Sequence, residues 1–106
     1  MQLGLIGKTL SHSFSKSYFE NKFKEENLTN HSYELFELES LEYFKELINN
    51  NPNLVGLNVT IPYKESIIPF LDELDETAKV IGAVNTIKIT KGNGKTILKG
   101  YNTDAK

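Results

Sequence analysis

A lysine, a threonine and an asparagine stand close together in the stretch NVTIPYK, residues 58–64. This stretch follows the apolar run LVGL, so it begins where a predicted buried strand ends. Lys64 can donate or accept a proton, and Asn58 and Thr60 can form hydrogen bonds to a ligand. A structural interpretation is also open, because Thr60 or a neighbour can cap a helix that begins at Pro62. The rest of the chain has to decide between these two interpretations.

Three further groups of polar residues stand where predicted strands begin or end. Ser13 and Ser15 follow the first predicted strand, Asn85 lies near the start of a predicted terminal hairpin, and Asp104 follows its end. Ligands of open α/β sheets bind at the carboxyl ends of parallel strands, and an antiparallel strand starts beside the end of its neighbour. The sequence therefore predicts one cleft lined by hydroxyls, amides, one ammonium and one carboxylate. Such a lining suits a small polyhydroxylated carboxylate.

Each of these residues also has a structural interpretation. Ser13 and Ser15 are of the type that forms turns and caps helices, a lone Lys64 is usually solvated, and Asp104 could cap a further helix. His12 reads as a loop residue, and two histidines without a third ligand define no metal site, so no metal is predicted. The runs GLIG and GNG do not form the G-x-G-x-x-G loop of a dinucleotide site, so no nucleotide site is predicted within these residues.

The elements that position these residues alternate between strands and helices. Strands are predicted at QLGLIG, HSYELFEL, LVGLNV, AVNTIKIT and KTILKGY, and helices at residues 16–27, LEYFKELINN and DELDETAKVIG. Residues 61–70 are predicted to form a short helix or a pair of turns, because Pro69 interrupts them. Ser15 and Ser40 are the predicted caps, Gly82 ends the last helix, and residues 91–94 suit a tight hairpin turn. This order predicts an α/β fold, a three-layer α/β/α sandwich with a mainly parallel mixed sheet that ends in a β-hairpin.

Length and composition restrict the class of protein. The 106 residues, 39% hydrophobic and 25% charged, are enough for one globular domain. A net charge of −2 with interspersed acids and bases argues against a nucleic acid partner. The chain has no cysteine for disulfides or thiolate metal sites, no signal-peptide core and no run of membrane-spanning length. We therefore expect a cytoplasmic protein that binds neither nucleic acid nor membrane.

Four blocks, in this order and spacing, resemble the shikimate dehydrogenase family: GLIGKTLSHSFS, NVTIPYK, GAVNT and GYNTD. The resemblance extends over essentially the whole chain and matches that family's N-terminal, substrate-binding domain. It implies an aminoacid dehydrogenase-like N-terminal domain for residues 1–106. It also implies that the full-length enzyme reversibly reduces 3-dehydroshikimate to shikimate with NADPH, a step in chorismate and aromatic amino acid biosynthesis.

The resemblance implies roles for particular residues. The substrate-binding positions that it implies are Ser13, Ser15, Asn58, Thr60, Lys64, Asn85 and Asp104. Among them, Ser13 and Ser15 match serines that bind the substrate carboxylate. The residues that match contacts to the ring hydroxyls are Asn58, Thr60, Asn85 and Asp104. Lys64 and Asp104 match the catalytic pair beside the carbon that undergoes redox. We expect Lys64 to transfer the proton and Asp104 to orient the lysine. The sequence alone leaves open which of the two transfers the proton. Many members of the family have a proline after the second serine and a His-Asn pair a few residues later. This chain has KSYFE at residues 16–20 instead, so no contact by such a pair is expected here.

A second domain is implied beyond these residues. Residues 102–106 resemble the cap and first turn of another helix, so we expect the chain to be part of something longer. The resemblance implies that NADP binds to a C-terminal Rossmann domain that is absent from this chain, so residues 1–106 alone are expected not to catalyse hydride transfer. A quinate/shikimate dehydrogenase using NAD and a non-catalytic shikimate-binding module are the alternatives. The oligomeric state, including a homodimer, stays open.

Overall fold

A mixed six-stranded sheet forms the centre of the fold in a computed structural model, which describes residues 2–8, 21, 22, 24 and 32–103. Its strands are β1 (Gln2–Gly7), β2 (Ser32–Glu37), β3 (Leu54–Val59), β4 (Glu73–Leu74), β5 (Thr86–Gly92) and β6 (Lys95–Tyr101). Their order in the sheet is β2-β1-β3-β5-β6-β4. β1 is parallel to β2 and β3, β4 is parallel to β6, and β5 is antiparallel to both of its neighbours. The mainly parallel mixed sheet predicted from the sequence is confirmed.

Within the described residues, the helices are α1 (Phe44–Asn50), α2 (Tyr63–Ser66) and α3 (Glu76–Ile81). Single 3-10 turns precede α1 at Leu41–Tyr43 and follow α2 at Ile68–Phe70. Residues 21, 22 and 24 are also helical and fall inside the helix predicted for residues 16–27. The rest of that predicted helix and its predicted cap, Ser15, lie outside the described residues. No helix in the described ranges is long and apolar enough to cross a membrane.

The sequence specifies α1 through its cap and its apolar stripe. The Ser40 hydroxyl accepts a hydrogen bond from the Glu42 backbone N–H at 3.2 Å, at the start of the preceding 3-10 turn. The buried side of this helical segment repeats at helical spacing and consists of Leu41, Phe44, Leu47 and Ile48. Both features are as predicted. They place α1 against one face of the sheet.

The main core lies between that face of the sheet and the three helices. It includes Ile6, Leu57, Val59, Ile87 and Leu98 from the strands, Leu47 from α1, Tyr63 from α2 and Ala78 from α3. A smaller cluster of Leu5 and Tyr33, with Leu3 and Leu35 packed against it, lies on the opposite face of β1 and β2. The parallel half of the sheet therefore buries apolar side chains on both faces, as its near-continuous apolar sequence indicates.

The helix predicted for residues 72–82 is wrong at its beginning. α3 begins only at Glu76, because the Asp75 carboxylate caps it by accepting the Ala78 N–H at 2.8 Å. The residues before the cap form β4, which pairs with β6, and the Asp75 N–H donates to the Gly100 carbonyl at 2.9 Å. The predicted end of the helix is confirmed, since Gly82 has a φ of 75° and ends the helix in the left-handed conformation.

The β5–β6 hairpin aligns the two polar segments at its open end. Asn93 and Gly94 form its two-residue turn with φ values of 51° and 76°, as a type I′ turn requires. From that turn the register runs back to Thr86, which lies opposite Tyr101. The start of β5 and the end of β6 are therefore neighbours at one edge of the sheet, as the sequence predicts.

Candidate functional site

Backbone hydrogen bonds join four segments at this edge. The Val59 N–H at the end of β3 donates to the Asn85 carbonyl at 2.8 Å, and the Thr60 N–H donates to the Ile6 carbonyl at 2.9 Å. The Asn85 N–H in turn donates to the Tyr101 carbonyl at 3.0 Å. The ends of β1, β3 and β6 and the start of β5 thus form one continuous edge, which we call the polar edge.

The chain leaves β3 through a backbone turn rather than through a side-chain cap. The Ile61–Pro62 peptide bond is cis, and the Tyr63 N–H donates to the Thr60 carbonyl at 3.0 Å. No side chain of the described residues caps the start of α2, so the capping role considered for Thr60 is not seen. The Thr60 side chain is half-buried at the polar edge.

Lys64 is fixed at the polar edge from both sides of α2. Its carbonyl accepts the Val84 N–H at 2.7 Å, and Val84 directly precedes Asn85. On the other side, the buried hydroxyl of Tyr63 donates to the Leu38 carbonyl. The lysine side chain is half-buried. The backbone of Lys64 therefore lies beside the start of β5, next to the segment that carries Asn85.

The amide of Asn58 is oriented by Tyr33, a buried residue of β2. Asn58 Nδ2 donates to the Tyr33 hydroxyl at 2.9 Å, and Tyr33 is only 2% exposed. This bond fixes which end of the amide is turned toward the tyrosine. Among the described residues no donor is seen on its Oδ1 atom, which can accept a hydrogen bond from a ligand.

Asn85 connects β5 to the segment that follows β6. Its Oδ1 accepts from the Thr86 hydroxyl at 3.0 Å and from the Thr103 N–H at 3.1 Å. Its Nδ2 donates to the Thr103 hydroxyl at 2.9 Å. A side-chain amide carries two N–H donors, so one remains for a ligand. Asn85 is therefore a structural link that can still donate one hydrogen bond.

The structure brings together Asn58, Thr60, Lys64 and Asn85. The other predicted site residues, Ser13, Ser15 and Asp104, lie outside the described residues. Sequence reasoning missed the positioning contact from Tyr33, and it did not identify Thr103 as the partner of Asn85. Neither contact has a local signal, because each joins residues that only the strand register brings close together.

The described residues do not fit a dinucleotide site. The glycines of GLIG lie inside strand β1, and GNG lies at the turn between two strands. A pyrophosphate loop has to connect a strand with a helix, so neither run offers the required backbone. Over the described ranges, no three potential metal ligands from His, Cys, Asp or Glu lie together.

The fold and the polar edge define an α/β domain that carries amide, hydroxyl and lysine groups at one edge of its sheet. Residues 5–87 match the family model of the shikimate dehydrogenase substrate binding domain. The chain belongs to this family, as its sequence motifs predict.

Known relatives agree with this assignment. The chain is 48% identical over 103 residues to the shikimate dehydrogenase (NADP(+)) of Methanosphaera stadtmanae, a match that covers 95% of the chain and 34% of that protein. It is 40% identical to shikimate dehydrogenase 1 of Peptoclostridium difficile, with a TM-score of 0.80 and coverage of 97% and 38%. It is 32% identical to the shikimate 5-dehydrogenase of Listeria monocytogenes, solved with shikimate and NAD, with a TM-score of 0.80 and coverage of 97% and 34%. The chain spans about a third of the length of the curated relatives it matches.

Proposed function

We propose that residues 1–106 are the substrate-binding domain of a cytoplasmic shikimate dehydrogenase, which interconverts 3-dehydroshikimate and shikimate with NADPH. The observation that carries the proposal is the meeting of Asn58, Thr60, Lys64 and Asn85 at the polar edge. The name of the Methanosphaera relative and the shikimate in the Listeria structure support the substrate and the reaction. NADP(H) binds, in this proposal, to a Rossmann domain C-terminal to these residues, and the NADP(+)-dependent Methanosphaera relative, of which the match covers only 34%, supports this.

The first task of the chain in this proposal is to orient the ring. Asn58 offers an acceptor oxygen, and Asn85 offers a remaining N–H donor. Together they can accept a hydrogen bond from the O–H of a ring hydroxyl and donate one to a hydroxyl oxygen. Thr60 adds a hydroxyl that can donate or accept. Ser13 and Ser15 bind the substrate carboxylate. Holding a small substrate in one orientation supplies much of the advantage of an enzyme over solution.

The second task is proton exchange at the reacting oxygen. When the carbonyl is reduced, negative charge develops on its oxygen and a proton must be added there. The Lys64 ammonium stabilises that charge and donates the proton from Nζ. In the reverse direction the neutral amine accepts the hydroxyl proton. Asp104 orients the amine in this proposal, as the resemblance implies.

The test is Lys64→Met in the full-length enzyme that contains this chain. Loss of the proton donor should lower kcat at least about 100-fold, the usual contribution of general acid catalysis. Binding of shikimate, followed by amide NMR titration, should weaken much less, because the other hydrogen-bonding groups remain. Lys79→Met is the matched control, since Lys79 is an exposed lysine paired with Glu76 on α3. A Lys64→Met enzyme with normal kcat would contradict the catalytic role.

Parallel titrations with shikimate and quinate, and turnover with NADP and NAD, separate the closest alternatives. Saturable shifts at Asn58, Thr60, Lys64 and Asn85 that are weaker with quinate support a shikimate enzyme. Stronger shifts with quinate and turnover with NAD would favour a quinate/shikimate dehydrogenase. Residues 1–106 alone serve as the baseline for turnover, because we propose that they bind substrate without catalysing hydride transfer.

A further inference from the structure

A cavity lies between α1 and β6, on the core side of the sheet. Its volume is about 300 Å³, and its lining consists of Phe44, Lys45, Ile48, Asn49, Phe70, Asp72, Thr96 and Leu98. This size is at the lower end of small-molecule sites, which span roughly 300–1,000 Å³. Thr96 lies near the hairpin turn, opposite Lys91, whereas the polar edge begins at Tyr101. The cavity is therefore separate from the candidate substrate site.

The inner wall of the cavity is apolar and partly uncovered. The rings of Phe44 and Phe70 meet edge to face, with 6.0 Å between centroids and an interplanar angle of 78°. Phe44 is 1% exposed, but Phe70 is 42% exposed. Ile48, one helical turn after Phe44, and Leu98 complete the wall. An apolar group placed here would remove aromatic surface from water, which is favourable in proportion to the area covered.

The outer rim carries one positive and one negative side chain. Asp72 is held in place because its Oδ2 accepts the Leu98 N–H at 2.8 Å and its N–H donates to the Leu98 carbonyl at 2.9 Å. The second carboxylate oxygen is left for another donor. Lys45 and Asn49 stand one helical turn apart on α1, beside the aromatic wall. Within the described residues neither Lys45 nor Asp72 forms an ion pair.

We propose that this cavity binds a free α-amino acid with an apolar side chain. Its carboxylate pairs with Lys45, its ammonium pairs with the free oxygen of Asp72, and its side chain packs on Phe44 and Phe70. A ligand with one charge would pair with only one of these two exposed side chains, whereas a zwitterion pairs with both. A zwitterion with an apolar end matches all three features. The site is independent of the shikimate site at the polar edge.

L-Phenylalanine and L-leucine are the probes, titrated into the 106-residue chain with amide NMR as the readout. Saturable shifts are expected at Lys45, Asn49, Phe70 and Thr96. Phenethylamine lacks the carboxylate and 3-phenylpropanoate lacks the ammonium, so each should bind about tenfold more weakly than L-phenylalanine or worse. Binding of either compound as tight as that of L-phenylalanine would overturn the zwitterion proposal, as would a well-dispersed spectrum that does not shift with either amino acid.

Lys45→Gln and Asp72→Asn test the two charges separately. The second substitution keeps a side-chain carbonyl oxygen for the Leu98 N–H, so it removes the charge while retaining the bond that fixes the side chain. Each variant should weaken L-phenylalanine binding about tenfold. Lys95→Gln is the matched control, because Lys95 directly precedes Thr96 but points to the opposite face of β6. An effect of the control as large as that of Lys45→Gln would overturn the assignment. A shikimate titration of the same samples reports the polar edge independently.

Discussion

The amide of Asn58 depends on one hydroxyl group, that of Tyr33. Tyr33→Phe removes this hydroxyl and leaves the ring in the core, so the amide of Asn58 loses the bond that orients it. We expect the Kd for shikimate to rise roughly 3- to 10-fold and the free energy of unfolding to fall by about 1 kcal/mol, the usual effect of one lost hydrogen bond. NMR titration and urea unfolding measure the two effects.

Tyr43→Phe is the control for this substitution, because Tyr43 is exposed and none of the hydrogen bonds described for the site involves its hydroxyl. It should change neither quantity. If Tyr33→Phe lowered stability but left shikimate binding unchanged, the Tyr33–Asn58 bond would serve only the fold.

Residue types and local spacing were enough to select Asn58, Thr60, Lys64 and Asn85 as neighbours. What the sequence could not predict is how their side chains are used inside the protein. Asn85 uses three of its hydrogen bonds on Thr86 and Thr103, which a motif does not reveal. Such contacts depend on strand register and side-chain rotamer, and these are fixed only by the packed fold.

The elements that were predicted correctly have strong local signals. α1 has a serine cap and an apolar stripe at helical spacing, and the hairpin has the Asn-Gly pair that tolerates two positive φ values. β4 has neither. It is two residues long, too short for any periodicity, and it exists because the edge of β6 offers hydrogen-bond partners beside the Asp75 cap.

Close packing of Leu71, Leu74 and Val84 on β6 requires a glycine at position 100. A methyl group there would lie 2.7 Å from Leu71 Cδ1 and 2.8 Å from Val84 Cγ2, closer than carbon atoms can approach without displacement. Gly100→Ala should therefore lower the free energy of unfolding by about 1–3 kcal/mol, the usual effect of overpacking. Urea unfolding measures it. Gly92→Ala is the control, because no atom of the described residues would lie within 4 Å of a methyl group at that position. Equal losses in both variants would argue for a general effect of glycine replacement in these strands rather than for steric overlap.

Charge is distributed unevenly over the whole molecule. The net charge is −2, yet residues 86–101 contain four lysines and no acidic residue. Lys88 and Lys99 lie directly opposite each other in the β5–β6 ladder, on the face turned away from Ile87 and the main core. The next pair along the ladder on that face is Thr86 and Tyr101, at the polar edge. Two residues of a strand span about 7 Å, which is within the Debye length of about 8 Å at physiological salt. The positive charge of Lys88 and Lys99 therefore favours binding of a carboxylate at the polar edge.

Like charges directly opposite each other in a sheet are destabilising, so Lys88→Glu should stabilise the fold. It replaces the repulsion of Lys88 and Lys99 by an attraction, and we expect the free energy of unfolding to rise by about 0.2–1 kcal/mol. The gain should shrink as the ionic strength is raised, because exposed charges are screened by salt. Lys95→Glu is the matched control, since it changes the net charge equally but lies opposite Gly92. Urea unfolding of both variants at low and high salt decides the matter. A gain as large in Lys95→Glu would assign the effect to net charge, whereas a gain confined to Lys88→Glu assigns it to the lysine pair.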